Sequence, residues 1–154
     1  EIAYALKAAG FKDIQLEVQI PGGRIDLQFS FKGSKCFMEI KTCSRRRPHR
    51  LVDDKRLRGD LRKCILKDLN RVKRLPQDSL GLILVLVFPV PAEEQENFLR
   101  KMSRWKYGRI LLEERPISRF IEIYEGEGIF LFMLGPYRAG HLIKDSHNIG
   151  HSLT

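Results

Sequence analysis

Between Ile14 and Lys41 three runs of alternating residues follow one another, and a turn signal separates each run from the next. Few folds other than an antiparallel β-meander accommodate that pattern. In the first run Ile14, Leu16, Val18 and Ile20 alternate with Gln15, Glu17 and Gln19, and Pro21-Gly22-Gly23 closes it. In the second, Ile25, Leu27, Phe29 and Phe31 alternate with Arg24, Asp26, Gln28 and Ser30. After Lys32-Gly33-Ser34 the third run sets Cys36, Met38 and Ile40 on one side, with Phe37, Glu39 and Lys41 on the other. The period of two places Asp26 on a polar face and gives Glu39 and Lys41 a common face. If the faces coincide across the hairpin, two acids and a lysine converge.

The remaining elements fit an α/β domain. Ile2, Ala5, Leu6 and Ala9 form one stripe of a first helix that Gly10 ends. Thr42 to Arg58 carries Pro48 and few spaced apolar residues, and is expected as a loop. A second helix is expected from Gly59-Asp60, with Asp60 as N-cap, Pro76 as stop and Leu61, Cys64, Ile65, Leu69, Val72 and Leu75 as its apolar stripe. Leu82 to Phe88 is unbroken aliphatic, the mark of a strand covered on both faces. A third helix is expected from Pro91-Ala92-Glu93-Glu94, burying Phe98, Leu99, Met102 and Trp105. Further strands are expected at Ile110 to Leu112, Phe120 to Tyr124 and Ile129 to Leu134, the last two joined through Glu125-Gly126-Glu127-Gly128. Beyond Gly135-Pro136 the chain turns polar and no element is assigned. With 154 residues and no repeat or boundary, residues 1–154 are expected to form one domain.

Charge narrows the class of partner. The net charge is +9, and the segment from Ser44 to Pro76, with thirteen Lys and Arg against four Asp, accounts for all of it. A block of this kind attracts a polyanion, although most charge runs are solvated helix faces. Placed directly after the acidic cluster, it favours nucleic acid. The longest apolar run, Leu80 to Val90, is too short for a bilayer, and no membrane association is expected. Cys36, Cys43 and Cys64 are odd in number and show no CxxC pairing, as expected for reduced intracellular thiols of a cytoplasmic protein. His49, His141, His147 and His151 show no ligand spacing. No signal-peptide pattern is visible, and a chain opening on Glu1 rather than Met says little of targeting.

Two carboxylates beside a lysine suit metal-assisted phosphodiester hydrolysis, yet acid-x-Lys pairs on strands are common and by spacing alone read as a wet sheet face. The stretch also resembles the core motif of the PD-(D/E)xK nuclease superfamily, with Ile25-Asp26 in the PD place and Glu39-Ile40-Lys41 as E-x-K. Ile25 replaces the proline. The resemblance runs from Glu1 to Phe88 as helix, three-strand meander, helix and strand. Its flavour is nearest to the archaeal Holliday-junction-resolvase branch, with the restriction-enzyme branches close behind.

The resemblance implies a restriction-endonuclease-like α/β fold, a central mixed sheet flanked by helices, and a metal-dependent endonuclease acting on double-stranded or branched DNA, in many relatives as a homodimer. Asp26 and Glu39 would ligate Mg²⁺ or Mn²⁺ together with the backbone carbonyl of Ile40. Lys41 would assist the attacking water. Glu1 would complete the site, with Glu17 as the substitute, and the product would carry a 5′ phosphate. Arg45, Arg46, Arg47, Arg50, Lys55, Arg56 and Arg58 would then contact the phosphate backbone. Two other readings stand beside this one: a module of the same fold that binds nucleic acid without cutting, and a basic interaction domain for an acidic protein.

Overall fold

A computed structural model describes residues 1–44, 55–102, 106–107, 110–111 and 117–138. The class is α/β. In chain order the elements are α1 (Ile2–Ala8), β1 (Lys12–Ile20), β2 (Gly23–Phe31), β3 (Ser34–Ser44), α2 (Lys55–Val72), β4 (Leu80–Pro91), α3 (Glu94–Met102), β5 (Lys106–Tyr107), β6 (Ile110–Leu111), β7 (Ile117–Tyr124) and β8 (Glu127–Arg138). Six strands make one mixed sheet in the order β1-β2-β3-β4-β8-β7, and β5 and β6 form a separate antiparallel pair. No helix among the described residues is long and apolar enough to cross a membrane.

The chain divides into two compact units, and the boundary falls inside β3, between Glu39 and Ile40. In the first unit are the described residues of 1–39, 68–82 and 135–138. The expected meander is present there. β1 pairs antiparallel with β2, Ile20 standing opposite Gly23, and β2 with β3, Phe31 standing opposite Ser34. The second turn is two residues long with positive φ at both Lys32 (48°) and Gly33 (78°). That geometry matches the twist of the strands it joins. The core of this unit packs Ile20, Ile25 and Phe37 from the meander with Val72 and Leu75 from the end of α2 and beyond, and Val18 and Tyr137 lie against it. Burial of each such side chain stabilises by roughly 1.5–3 kcal/mol. Phe11 closes the outer end, its ring edge-on to Phe29 at 5.3 Å and tilted against Phe31 at 5.2 Å.

In the second unit are the described residues of 40–67 and 83–134. Ile65, Ile83, Val85, Val87, Val90, Leu99, Phe130 and Phe132 are its most deeply buried apolar residues. β7 and β8 form a hairpin whose turn residues, Glu125 and Gly126, both have positive φ (30° and 80°).

Several expectations shift. β4 is longer than the aliphatic run and lies between β3 and β8, an interior place that agrees with its covering on both faces. β1 is half-wet instead of cleanly alternating: Leu16 is 65% exposed, because β1 is an edge strand with an irregular register between Lys12 and Gln15. α2 begins at Lys55, so Asp60 lies within the helix and is no N-cap. Gly59 is carried inside it, at a cost of about 1 kcal/mol that packing overrides. Cys64, expected on the buried stripe, is exposed. α3 starts at Glu94, after β4 has absorbed Pro91. β8 continues past Gly135-Pro136 to Arg138. Trp105 lies outside the described residues, as do the side chains of Leu61, Phe98 and Met102.

Gly81, at the start of β4, is closely packed against α2. A Cβ there would strike the fully buried side chain of Val72. Gly81→Ala is therefore expected to lower stability by about 1–3 kcal/mol, read from urea unfolding; an unchanged midpoint would contradict this packing.

Candidate functional site

β2 and β3 bring the two acids of the central stretch together. Leu27 stands opposite Met38 and Gln28 opposite Phe37. Carried one step further, the same register sets Asp26 opposite Glu39. Facing side chains in an antiparallel pair lie within contact distance, and the Asp26 carboxyl is an electrostatic neighbour of Glu39. Their environments differ. Asp26 is exposed, whereas Glu39 is 1% exposed. The expected wet face is thus only partly wet: Cys36, Phe37, Met38 and Glu39 are all buried, so β3 is covered on both sides here.

α2 supplies the rest of the site. The Nη1 atom of Arg71 donates to Oε1 of Glu39 at 2.5 Å and lies 3.7 Å from Oδ1 of Asp68, one turn earlier on the same helix. Asp68 has no exposed surface at all, and the Arg71 side chain is 26% exposed. One guanidinium thus stands against two buried acids, Glu39 and Asp68. Burial pushes the Glu39 carboxyl from 4.5 up to about 7; Arg71 pulls it down, while Asp26 and Asp68 add to the rise. Burial outweighs the ion pair because a carboxylate stripped of water loses more than one contact returns. Arg71 in turn is held more firmly protonated, first by its bond to Glu39.

Glu1 is exposed at the head of α1, where its carbonyl accepts from the amide of Ala5 at 2.9 Å. Glu17 is exposed on β1 and takes Nη1 of Arg24 at 3.3 Å. The third acid acting on Glu39 is Asp68. Lys41 follows Glu39 by two residues in β3 and is half-buried, as is Ile40. Arg45, Arg46, Arg47 and Arg50 lie outside the described residues. Lys55, Arg56 and Arg58 belong to α2, but their side chains lie outside the described set.

Asp68 and Arg71 were not expected as site residues. A stripe search scores apolar positions only, so an acid on the buried face goes unnoticed. The available signal was its place: Asp68 falls between Ile65 and Leu69 on the same face, where an acid requires a partner.

A hard divalent cation takes oxygen donors and keeps several waters, so one or two carboxylates suffice for Mg²⁺. Asp26 and Glu39 supply two, within reach of each other, and the Arg71 guanidinium already stands against Glu39 as a positive ion would. The donor set fits Mg²⁺ or Mn²⁺ in type. Among the described residues no group of three or more His, Cys, Asp and Glu side chains is arranged to hold a metal.

Comparison of the chain with protein-family profiles, with curated proteins and with solved structures gives no match.

The raised carboxyl has a consequence for stability. Folded Glu39 holds its proton more tightly than the unfolded chain does, so its contribution is fully present below about pH 4.5 and is lost as pH rises to about 7. In EDTA, the thermal midpoint of the wild type is expected to fall across this window, and Glu39→Gln to flatten that fall. Parallel curves for the two proteins would show that Glu39 is not the titrating group.

Proposed function

We propose that the chain is a metal-dependent nuclease of restriction-endonuclease-like fold that hydrolyses DNA phosphodiester bonds. The observation that carries this reading is the facing carboxyl pair, Asp26 exposed and Glu39 buried, on neighbouring strands with Lys41 two residues beyond Glu39. The basic segment from Ser44 to Pro76 supports DNA as the substrate, since a surplus of nine positive charges is an electrostatic footprint for a phosphate backbone.

In this reading Asp26 and Glu39, with the Ile40 carbonyl, would hold Mg²⁺ or Mn²⁺. When bound, the metal offsets charge on the phosphate and lowers the pKa of a coordinated water. Asp26, the solvent-facing acid, gives substrate and water access to the pair. Before a metal arrives, Arg71 holds the Glu39 carboxylate in one orientation. The Lys41 ammonium orients the attacking water and offsets the charge that develops on the phosphate oxygens. Water adds to phosphorus and the bond from phosphorus to the 3′ oxygen breaks, leaving a 5′ phosphate and a 3′ hydroxyl. Arg45, Arg46, Arg47, Arg50, Lys55, Arg56 and Arg58 contact the phosphate backbone and position the duplex.

Supercoiled plasmid and a four-way junction, each incubated with Mg²⁺, Mn²⁺ or EDTA, test this reading. Cutting is expected with either metal and not with EDTA, and Asp26→Ala or Lys41→Ala is expected to slow it by about a hundredfold or more. Cutting that survives both substitutions would refute the site. Salt-sensitive DNA binding without cutting in any metal would instead make the chain a binding module of the same fold.

A further inference from the structure

Arg71 has two acidic stations. Its Nη1 is in contact with Glu39 Oε1 at 2.5 Å, and Asp68 Oδ1 lies at ion-pair distance, 3.7 Å, from the same nitrogen. The stations differ in what else can claim them. Glu39 shares its other surroundings with Asp26, which is open to solvent. Asp68 is sealed, with no exposed surface, and sits three residues from Arg71 on the same helix. Arg71 is itself partly exposed, so its guanidinium has room to move. A guanidinium never gives up its proton, so it leaves a carboxylate only by moving. A divalent cation arriving at Asp26 and Glu39 meets that fixed charge within a few ångströms, and two cations held by one buried carboxylate repel strongly.

We propose that Arg71 is a resident counter-ion of Glu39 that an incoming divalent metal displaces toward Asp68, so that Arg71 competes with the metal and Asp68 receives it. This rests on the reading of Asp26 and Glu39 as metal ligands. It gives Asp68 and Arg71 positioning roles in that site: they keep Glu39 from standing as a bare buried acid before the metal arrives, and set the threshold of metal concentration at which the site loads.

Mn²⁺ binding without DNA, followed by the electron paramagnetic resonance of free Mn²⁺ at constant pH, tests the competition. Four proteins are compared: wild type, Arg71→Met, Asp68→Asn and Asp26→Ala. Arg71→Met is expected to bind Mn²⁺ about tenfold more tightly or better, since one nearby positive charge is gone. Asp68→Asn, which removes the second station, is expected to bind more weakly than wild type. Equal or weaker binding by Arg71→Met, while Asp26→Ala loses binding altogether, would overturn the competition and leave the metal site standing. No saturable binding by wild type or Arg71→Met would remove the metal site and the competition with it. Should Arg71→Met not fold, the wild type alone decides. Its Arg71 Nε–Hε resonance, assigned by its disappearance in Arg71→Lys, is expected to shift on saturation with Mg²⁺; a resonance that stays in place overturns the proposal.

Discussion

A glutamate with 1% of its surface exposed must have a partner, and the fold is arranged to give it one. An isolated ionised carboxylate in such a place costs several kcal/mol. The guanidinium of Arg71 offsets part of that cost, and it reaches Glu39 because the last turns of α2 lie on the meander through Val72, with Leu75 beyond them. The apolar contacts set the position of the helix, and the ion pair exploits it. Such a pair is weak evidence for stability, since well-packed apolar residues in the same space serve a fold at least as well.

The meander decides where that chemistry faces. Two short turns with positive φ at Lys32-Gly33 and at Gly22-Gly23 fix the registers of β1, β2 and β3. A slip of one residue between β2 and β3 would send Asp26 to the opposite face from Glu39. The two acids then differ in their covering: α2 lies over one and solvent reaches the other. Burial accordingly raises one carboxyl to about 7 while its neighbour faces water.

Much of this was legible from residues alone. The period of two and the turn signals located three strands, and the convergence of Asp26 with Glu39 followed from them. The aliphatic stretch around Ile83 to Val87 announced an interior strand, because covering on both faces removes alternation. What escaped notice has physical causes. Gly59 does not break α2, since tertiary packing outweighs the propensity of one residue. Leu16 is apolar in sequence but wet in the fold, because alternation cannot say that β1 will be an edge. The largest omission, Asp68 with Arg71, arose because a charged residue on an apolar stripe looks like a flaw in the pattern, when it is the partner of another element's buried charge.

Crystals grown in EDTA and then soaked in Mn²⁺, with data collected at the manganese absorption edge, test the central claim most directly. An anomalous peak is expected between the carboxylates of Asp26 and Glu39, at coordination distance from both, about 2.0–2.2 Å. A peak at a different cluster of acids, or none at saturating Mn²⁺ with Arg71 still seated on Glu39, would contradict it.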